Sequence, residues 1–306
     1  MLGIGDDAAL WQPSRSHRSA ISSDMLLEGI HFTRAAMSLE DAGWRAMAAN
    51  LSDLAAMGAR PVLATVALGV PQADGVGQIL ELYRGLAACA GRSKVEIAGG
   101  DLSRAPALTI SITVVGEVRA SQAKTRAGGR PGDVLAVTGP LGGARAGLVL
   151  TGSPLPIEGE LRDAALRAFR HPVVRGAEGR FLAASVNVHA MMDCSDGLST
   201  DVDRLSAASE CGASLESIPV APAARALAEL QEEDPERFAL ASGEDFELLV
   251  AVAPRAFSHL AARFATRFRR ELSRVGTLHE GHGMLWQGAP LARSGWDHFT
   301  LGADGS

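Results

Sequence analysis

Apolar and polar positions along the 306-residue chain switch between two periods, and the switches mark out an order of elements. Residues 19–25, Ser-Ala-Ile-Ser-Ser-Asp-Met, read as a short strand closing on an aspartate. Ser38-Leu-Glu-Asp41 opens a helix as a capping box, its hydroxyl and carboxylate each serving the other's backbone N–H. Trp44, Met47, Ala48, Leu51, Leu54 and Ala55 follow at helical spacing, and Gly58 supplies the stop. A buried strand is predicted over 61–68, a helix over 76–90, and a strand from Val95 that ends in Gly99-Gly-Asp101. Leu108, Ile110, Ile112 and Val114 alternate with Thr109, Ser111 and Thr113, the period of a half-buried strand.

From 119 to 132 the periodicity gives way to a polar Gly/Pro run. It predicts a linker over 121–132 between an N-terminal domain, 1–120, and a C-terminal domain, 133–306. The second domain opens with a strand over Asp133–Thr138, a turn at Gly139-Pro-Leu-Gly-Gly143 and a helix. A later strand ends in Met191-Met-Asp-Cys-Ser-Asp-Gly197, before an amphipathic helix over 198–209; another covers Phe246–Val252, just after Ser242-Gly-Glu-Asp245. Strands and helices mix in both halves without regular βαβ repetition, which predicts an α+β fold rather than a doubly wound sheet.

Composition then removes whole classes of function. Hydrophobic residues at 47% and charged ones at 21% are globular proportions, not those of a disordered chain. No apolar run approaches the ~18 residues of a membrane helix, and the first residues lack the basic and apolar regions of a signal peptide. Three cysteines, none in a Cys-x-x-Cys pair, argue against a disulfide scaffold or a zinc knuckle. A cytoplasmic protein is expected. A formal charge of -6 with only 5% aromatic residues speaks against a nucleic-acid surface. The only lysines are Lys94 and Lys124, and neither follows a glycine and precedes Ser or Thr, so any ATP is handled without a P-loop.

Aspartate beside small residues at strand ends and turns recurs: Asp6-Asp7, Asp24, Asp101, Asp193 and Asp196. Asp53 adds a carboxylate near a helix C-terminus, where the macrodipole disfavours it. Each alone is a cap or a turn residue. Together they read as a hard-cation site, because Mg²⁺ takes oxygen from a few carboxylates and from substrate phosphates. Other motifs lead nowhere. Gly3-Ile-Gly-Asp-Asp-Ala8 has no preceding strand, Ser121-Gln-Ala-Lys124 sits in the linker, and His279-Glu-Gly-His282 reads as a loop. Cys194 and Cys211 read as small core residues.

Gly3-Ile-Gly-Asp-Asp-Ala8, Ile21-Ser-Ser-Asp24 with Glu28-Gly-Ile-His-Phe32, and Asn50-Leu-Ser-Asp-Leu-Ala-Ala-Met-Gly-Ala59 resemble thiamine-monophosphate kinases. So do Gly99-Gly-Asp101, Thr125-Arg126 with Arg130-Pro-Gly-Asp133, Asp193-Cys-Ser-Asp-Gly197 and Gly243-Glu-Asp-Phe-Glu247, in order along almost the whole chain. The resemblance implies the two-domain α+β fold of aminoimidazole ribonucleotide synthetase, with mixed sheets flanked by helices. It also implies a homodimer, with ATP between the domains and its γ-phosphate passing to thiamine monophosphate. A cluster of Mg²⁺ ions would involve Asp7, Ser22, Ser23, Asp24, Asp53, Asp101, Asp193 and Asp196. ATP would contact Gly100, Asp101, Arg126 and Ser195; thiamine monophosphate would contact His31, Glu244 and Trp296.

The chain departs from the family pattern in having two residues rather than some twenty before Gly3-Ile-Gly5. Leu102-Ser103 replaces Thr-Thr, Ser22-Ser23 replaces Ser-Thr, and Ser242 replaces a glycine. A phosphate monoester acceptor is mostly dianionic near pH 7 and needs no general base, which agrees with the absence of a catalytic dyad in the sequence. Two alternatives remain at this level: another ATP-dependent enzyme of the superfamily, or a non-catalytic nucleotide- or thiamine-phosphate-binding protein. Selenophosphate synthetase would bring a reactive cysteine ahead of Cys89, and the hydrogenase-maturation relative a C-terminal cysteine; the sequence has neither.

Overall fold

The computed structural model describes residues 13–295. The first six elements are β1 (His17–Leu27), α1 (Leu39–Ala56), β2 (Arg60–Val70), α2 (Val76–Ser93), β3 (Glu96–Arg104) and β4 (Thr109–Arg119). Their strands form a four-stranded sheet in the order β1-β4-β2-β3, antiparallel except for the parallel β2–β3 pair. One face packs on α1 and α2 through Val66, Leu68, Ile110, Ile112 and Val114. The period-two reading of 108–114 therefore holds. The strand expected to end at Gly99-Gly-Asp101 runs on to Arg104, because β2 continues beside it and pairs residue by residue to Val70.

The capping box forms as expected: Ser38 Oγ accepts from Asp41 N–H at 3.0 Å, and the Asp41 carboxylate accepts from Ser38 N–H at 3.2 Å. Helix α1 lies against α2 closely enough that a Cβ on Gly85 would stand 1.8 Å from the Glu40 carbonyl oxygen, so only glycine fits there.

The second half comprises β5 (Val134–Val137), α3 (Gly143–Leu150), α4 (Gly159–Arg170), α5 (Gly176–Ala183), β6 (Val188–Asp193) and α6 (Leu198–Ala208). It continues with β7 (Gly212–Leu215), α7 (Pro222–Leu230), α8 (Pro235–Leu240), β8 (Leu248–Val252) and α9 (Pro254–Phe268). It closes with β9 (Ser273–His279), β10 (Met284–Trp286) and β11 (Ala289–Leu291). A seven-stranded sheet runs β11-β10-β7-β9-β5-β8-β6. The His279–His282 segment is not wholly loop: His279 ends β9, and bends follow it.

Alternate residues of this sheet build two cores. Leu135, Ala190, Met192, Leu249 and Ala251 face α6 and α8. Ala136, Met191, Leu248, Val250 and Val252 share a core with Leu182 of α5, Phe264 of α9, and Ala55 and Ala56 of α1. Helix α1 thus meets the N-terminal sheet through Met47, Leu51 and Leu54 and the C-terminal domain through Ala55 and Ala56. Both domains hold it, and its polar residues lie at their junction.

Candidate functional site

Three segments converge at that junction: the end of β1, the second half of α1, and the turn after β6. Asn50 Oδ1 accepts from the Asp24 N–H at 2.9 Å, tying α1 to β1. The Ser22 hydroxyl donates to Asp53, and the Ser52 hydroxyl donates across the domain boundary to Asp193 Oδ2 at 2.6 Å. Partial burial raises the carboxyl of Asp24, whose residue is otherwise exposed, to about 6, helped by the charges of Asp53 and Asp196. Burial likewise lifts fully buried Asp193 to about 6, with the charge of Asp53 adding to it. Asp53 is raised by burial against the opposing pull of Ser22 and Arg126. Asp24, Asp53, Asp193 and Asp196 therefore form one electrostatic group drawn from both domains.

Arg126, in the segment between β4 and β5, is the cation whose charge lowers both Asp53 and Asp193. Oxygen donors with excess negative charge suit a hard cation such as Mg²⁺. Among the described residues no three carboxylates, imidazoles or thiols are close enough to hold an ion by themselves. Mg²⁺ held here by one or two carboxylates would take its remaining oxygen ligands from substrate phosphates.

The turn after β6 is held from below. Asp201, fully buried on α6, accepts from the N–H groups of Ser195 and Asp196 at 3.1 and 3.2 Å, and Arg204 pairs with both Asp196 and Asp201. The Ser195 carbonyl accepts from Glu244 N–H at 2.7 Å, and the Cys194 carbonyl from Phe246 N–H at 2.9 Å. These bonds lock the turn to the segment before β8. In that segment Glu244 has φ 64° and Phe246 φ 49°, two non-glycine residues in the left-handed region within three positions. Such backbone is costly and survives where the surroundings over-determine it. Arg45, buried on α1, crosses the boundary to pair with Glu244.

Not every expected residue joins this group. Ser23 is on the other face of β1, donating to the Ile112 carbonyl at 3.1 Å and meeting Thr113 Oγ1 at 3.0 Å. Asp101 shares a row with exposed Met25, Ser111 and Ala67, three strand spacings or about 14 Å from β1. Within one chain neither joins the aspartates. At Gly100 a Cβ would lie 1.8 Å from the Val66 carbonyl oxygen, so close packing against β2 requires glycine there. His31, in the turn after β1, accepts from Leu27 N–H through Nδ1 at 3.1 Å, which puts the neutral ring's proton on Nε2. Asp7 and Trp296 lie outside the described residues.

Known proteins with this sequence pattern and fold form a coherent set. Residues 5–118 match the family described as AIR synthase related protein, N-terminal domain, and residues 130–284 match its C-terminal domain. A thiamine-monophosphate kinase of Rhodopirellula baltica is 40% identical over 296 residues, covering 94% of this chain and 85% of the relative. The chain belongs to the thiamine-monophosphate kinase family.

The crystal structure of the family member from Stenotrophomonas maltophilia superposes with a TM-score of 0.85 at 33% identity, covering 95% of this chain and 92% of that one. A second member, AaThiL, was solved complexed with AMPPCP and TMP; it gives a TM-score of 0.83 at 27% identity, covering 94% and 89%. The α+β fold with mixed sheets is thereby the family's fold.

Sequence reasoning passed over four supporting residues. Asn50 and Ser52 stand beside Asp53 in the otherwise apolar second half of α1, and that polar trio was the available signal. Asp201 and Arg45 gave a weaker one, a charge at a buried helical position.

Proposed function

We propose that this chain transfers the γ-phosphoryl group of ATP to thiamine monophosphate, yielding thiamine diphosphate and ADP by direct in-line transfer. The observation that carries the reading is the convergence of Asp24, Asp53, Asp193 and Asp196 from two domains, with Arg204 already paired to Asp196 and the Arg126 charge acting on Asp53 and Asp193. Several Mg²⁺ ions, when bound by these carboxylates with Ser22, would screen the repulsion between two polyanions and align them. Arg126 would grip the ATP phosphates with its planar fork, beside Gly100 and the Ser195 backbone. Glu244, held by Arg45, and His31 would orient the thiamine portion. The acceptor oxygen carries no proton to remove, so no side chain need act as a base.

The same reading makes the protein a cytoplasmic homodimer. The face of the N-terminal sheet away from α1 and α2 presents Ile21, 68% exposed, and Met25, 49% exposed, with Ser23, Ser111 and Thr113 beside them and Asp101 on the edge strand. Four strands of about ten residues span roughly 700 Å², close to the ~800 Å² per partner of a standard interface. A second copy is the occupant such a face suits, and Asp101 and Ser23 would then lie at the junction. Sedimentation velocity of the full chain tests this; a monomer at micromolar concentration would refute it.

The kinase reading is tested by product analysis with ATP, Mg²⁺ and a panel of acceptors. Thiamine monophosphate is expected to give the diphosphate with one ADP per turnover, and free thiamine to be a poor acceptor. Robust phosphorylation of thiamine with none of its monophosphate would overturn it.

A further inference from the structure

We propose that a second, arginine-lined cleft, behind the Gly243–Glu247 segment, binds a small phosphorylated anion. The cleft has a volume of about 610 Å³ and is lined from both domains, a size suited to a metabolite. It receives Asp245 and Glu247, whereas Glu244 is engaged by Arg45, which does not line the cleft. The aspartate cluster contributes nothing to its walls.

Buried Glu247 marks the floor. Arg175 grips it through Nε and Nη2 at 2.9 and 2.7 Å, and Arg270 reaches the same carboxylate at 2.7 Å. Glu178 also comes within 3.9 Å of Arg175, so two carboxylates balance these two guanidiniums. Arg92 and Arg167 join them from the last turns of α2 and α4. A helix C-terminus favours a cation, which accounts for each arginine singly. It does not account for helices of different domains lining one cavity that already holds two guanidiniums.

The remaining carboxylates of the cleft are turned to other partners. Asp245 accepts from Gly142 and Ala144 N–H at 2.7 and 3.2 Å, at the start of α3, and Glu40 faces Arg84 at 3.5 Å. Among the described residues neither Arg92 nor Arg167 has a carboxylate in salt-bridge range; Arg92 lies over the Trp44 ring at 4.9 Å. Trp44 is fixed by its Nε1 donating to the Pro172 carbonyl at 3.1 Å. Gly85, Ala88, Ala164 and Ala168 keep the walls short and leave room for a ligand. Guanidinium forks match phosphate oxygens two at a time, and an anion held here would bridge α2 to α4 and so tie the domains together.

The probe is inorganic diphosphate, titrated calorimetrically into the full chain in EDTA. Without metal the aspartate cluster repels it, and without ATP or thiamine monophosphate the result is independent of the kinase reading. Wild type is expected to bind at millimolar concentration or better, and Arg126→Ala equally well. Arg92→Ala/Arg167→Ala is expected to bind about tenfold or more weakly, since each charge-assisted bond counts for that much. Both arginines are exposed, and the single variants serve the same comparison if the double variant does not fold. No binding to wild type, or equal binding to the double variant, would overturn the proposal; so would loss of binding in Arg126→Ala alone.

Discussion

Asp201 shows how much of this site is set by a residue that need not touch a substrate. Its buried carboxylate accepts from two consecutive backbone N–H groups, Ser195 and Asp196, and shares Arg204 with Asp196. Bonds to a charged acceptor contribute about 1.5–3 kcal/mol, so Asp201→Asn is expected to lower turnover by about tenfold and raise the KM for ATP. Unchanged steady-state kinetics would make it a fold residue only. Arg126 tests the opposite case, an exposed side chain whose charge reaches Asp53 and Asp193. Arg126→Lys keeps the charge and loses the fork; ATP use should weaken, and unaltered ATP kinetics would show Arg126 to be a solvated cation.

At the scale of elements, α1 decides where the chemistry sits. It packs against α2 at Gly85, where a Cβ would come within 1.8 Å of the Glu40 carbonyl. Gly85→Ala is expected to destabilise the fold by roughly 1–3 kcal/mol, as overpacking does, and to disturb the register of Asn50, Ser52 and Asp53; an unshifted denaturation midpoint would contradict that. This helix was legible because its apolar period is continuous and its capping residues are unambiguous. Helices α4 and α9 were not, since each buries only two side chains, Ala165 with Phe169 and Leu260 with Phe264, among arginines and alanines. Strands β10 and β11, at three residues each, are too short for any period to register. The aspartates were legible one at a time, as carboxylates beside small residues. Their assembly was not, because the Ser52–Asp193 bond spans 141 residues and exists only once the domains meet. The isolation of Asp101 within one chain followed from sheet order, which no local pattern encodes.

The whole molecule holds several carboxylates against their tendency to ionise. Burial raises Asp24 and Asp193 to about 6, and Asp201 and Asp245 to about 7. The folded state binds these protons more tightly than the unfolded chain, so stability is lost as pH rises through about 6 to 7 and is regained below. With metal chelated, the melting temperature is expected to climb by a few degrees from pH 8 to pH 6; a flat or falling profile would contradict these shifts. Glu117, drawn down to about 2 chiefly by the Ser14 N–H, with Arg60 assisting, acts in the other direction and costs stability only below about 4.5. Magnesium binding should flatten the profile by compensating the same charges. The most direct measurement pairs turnover with thermal melting in Asp53→Asn, at saturating ATP and thiamine monophosphate. Loss of a group that stabilises a transferring phosphate costs about 10²–10³ in rate, whereas removing a charge whose burial outweighs the pull of Ser22 and Arg126 leaves the metal-free fold as stable or more so. Turnover reduced to that degree, with an unchanged or raised melting temperature, is the expected result. Near-normal turnover, or a loss of activity that merely follows a loss of fold, would contradict a metal-assisted transfer at the interdomain aspartates.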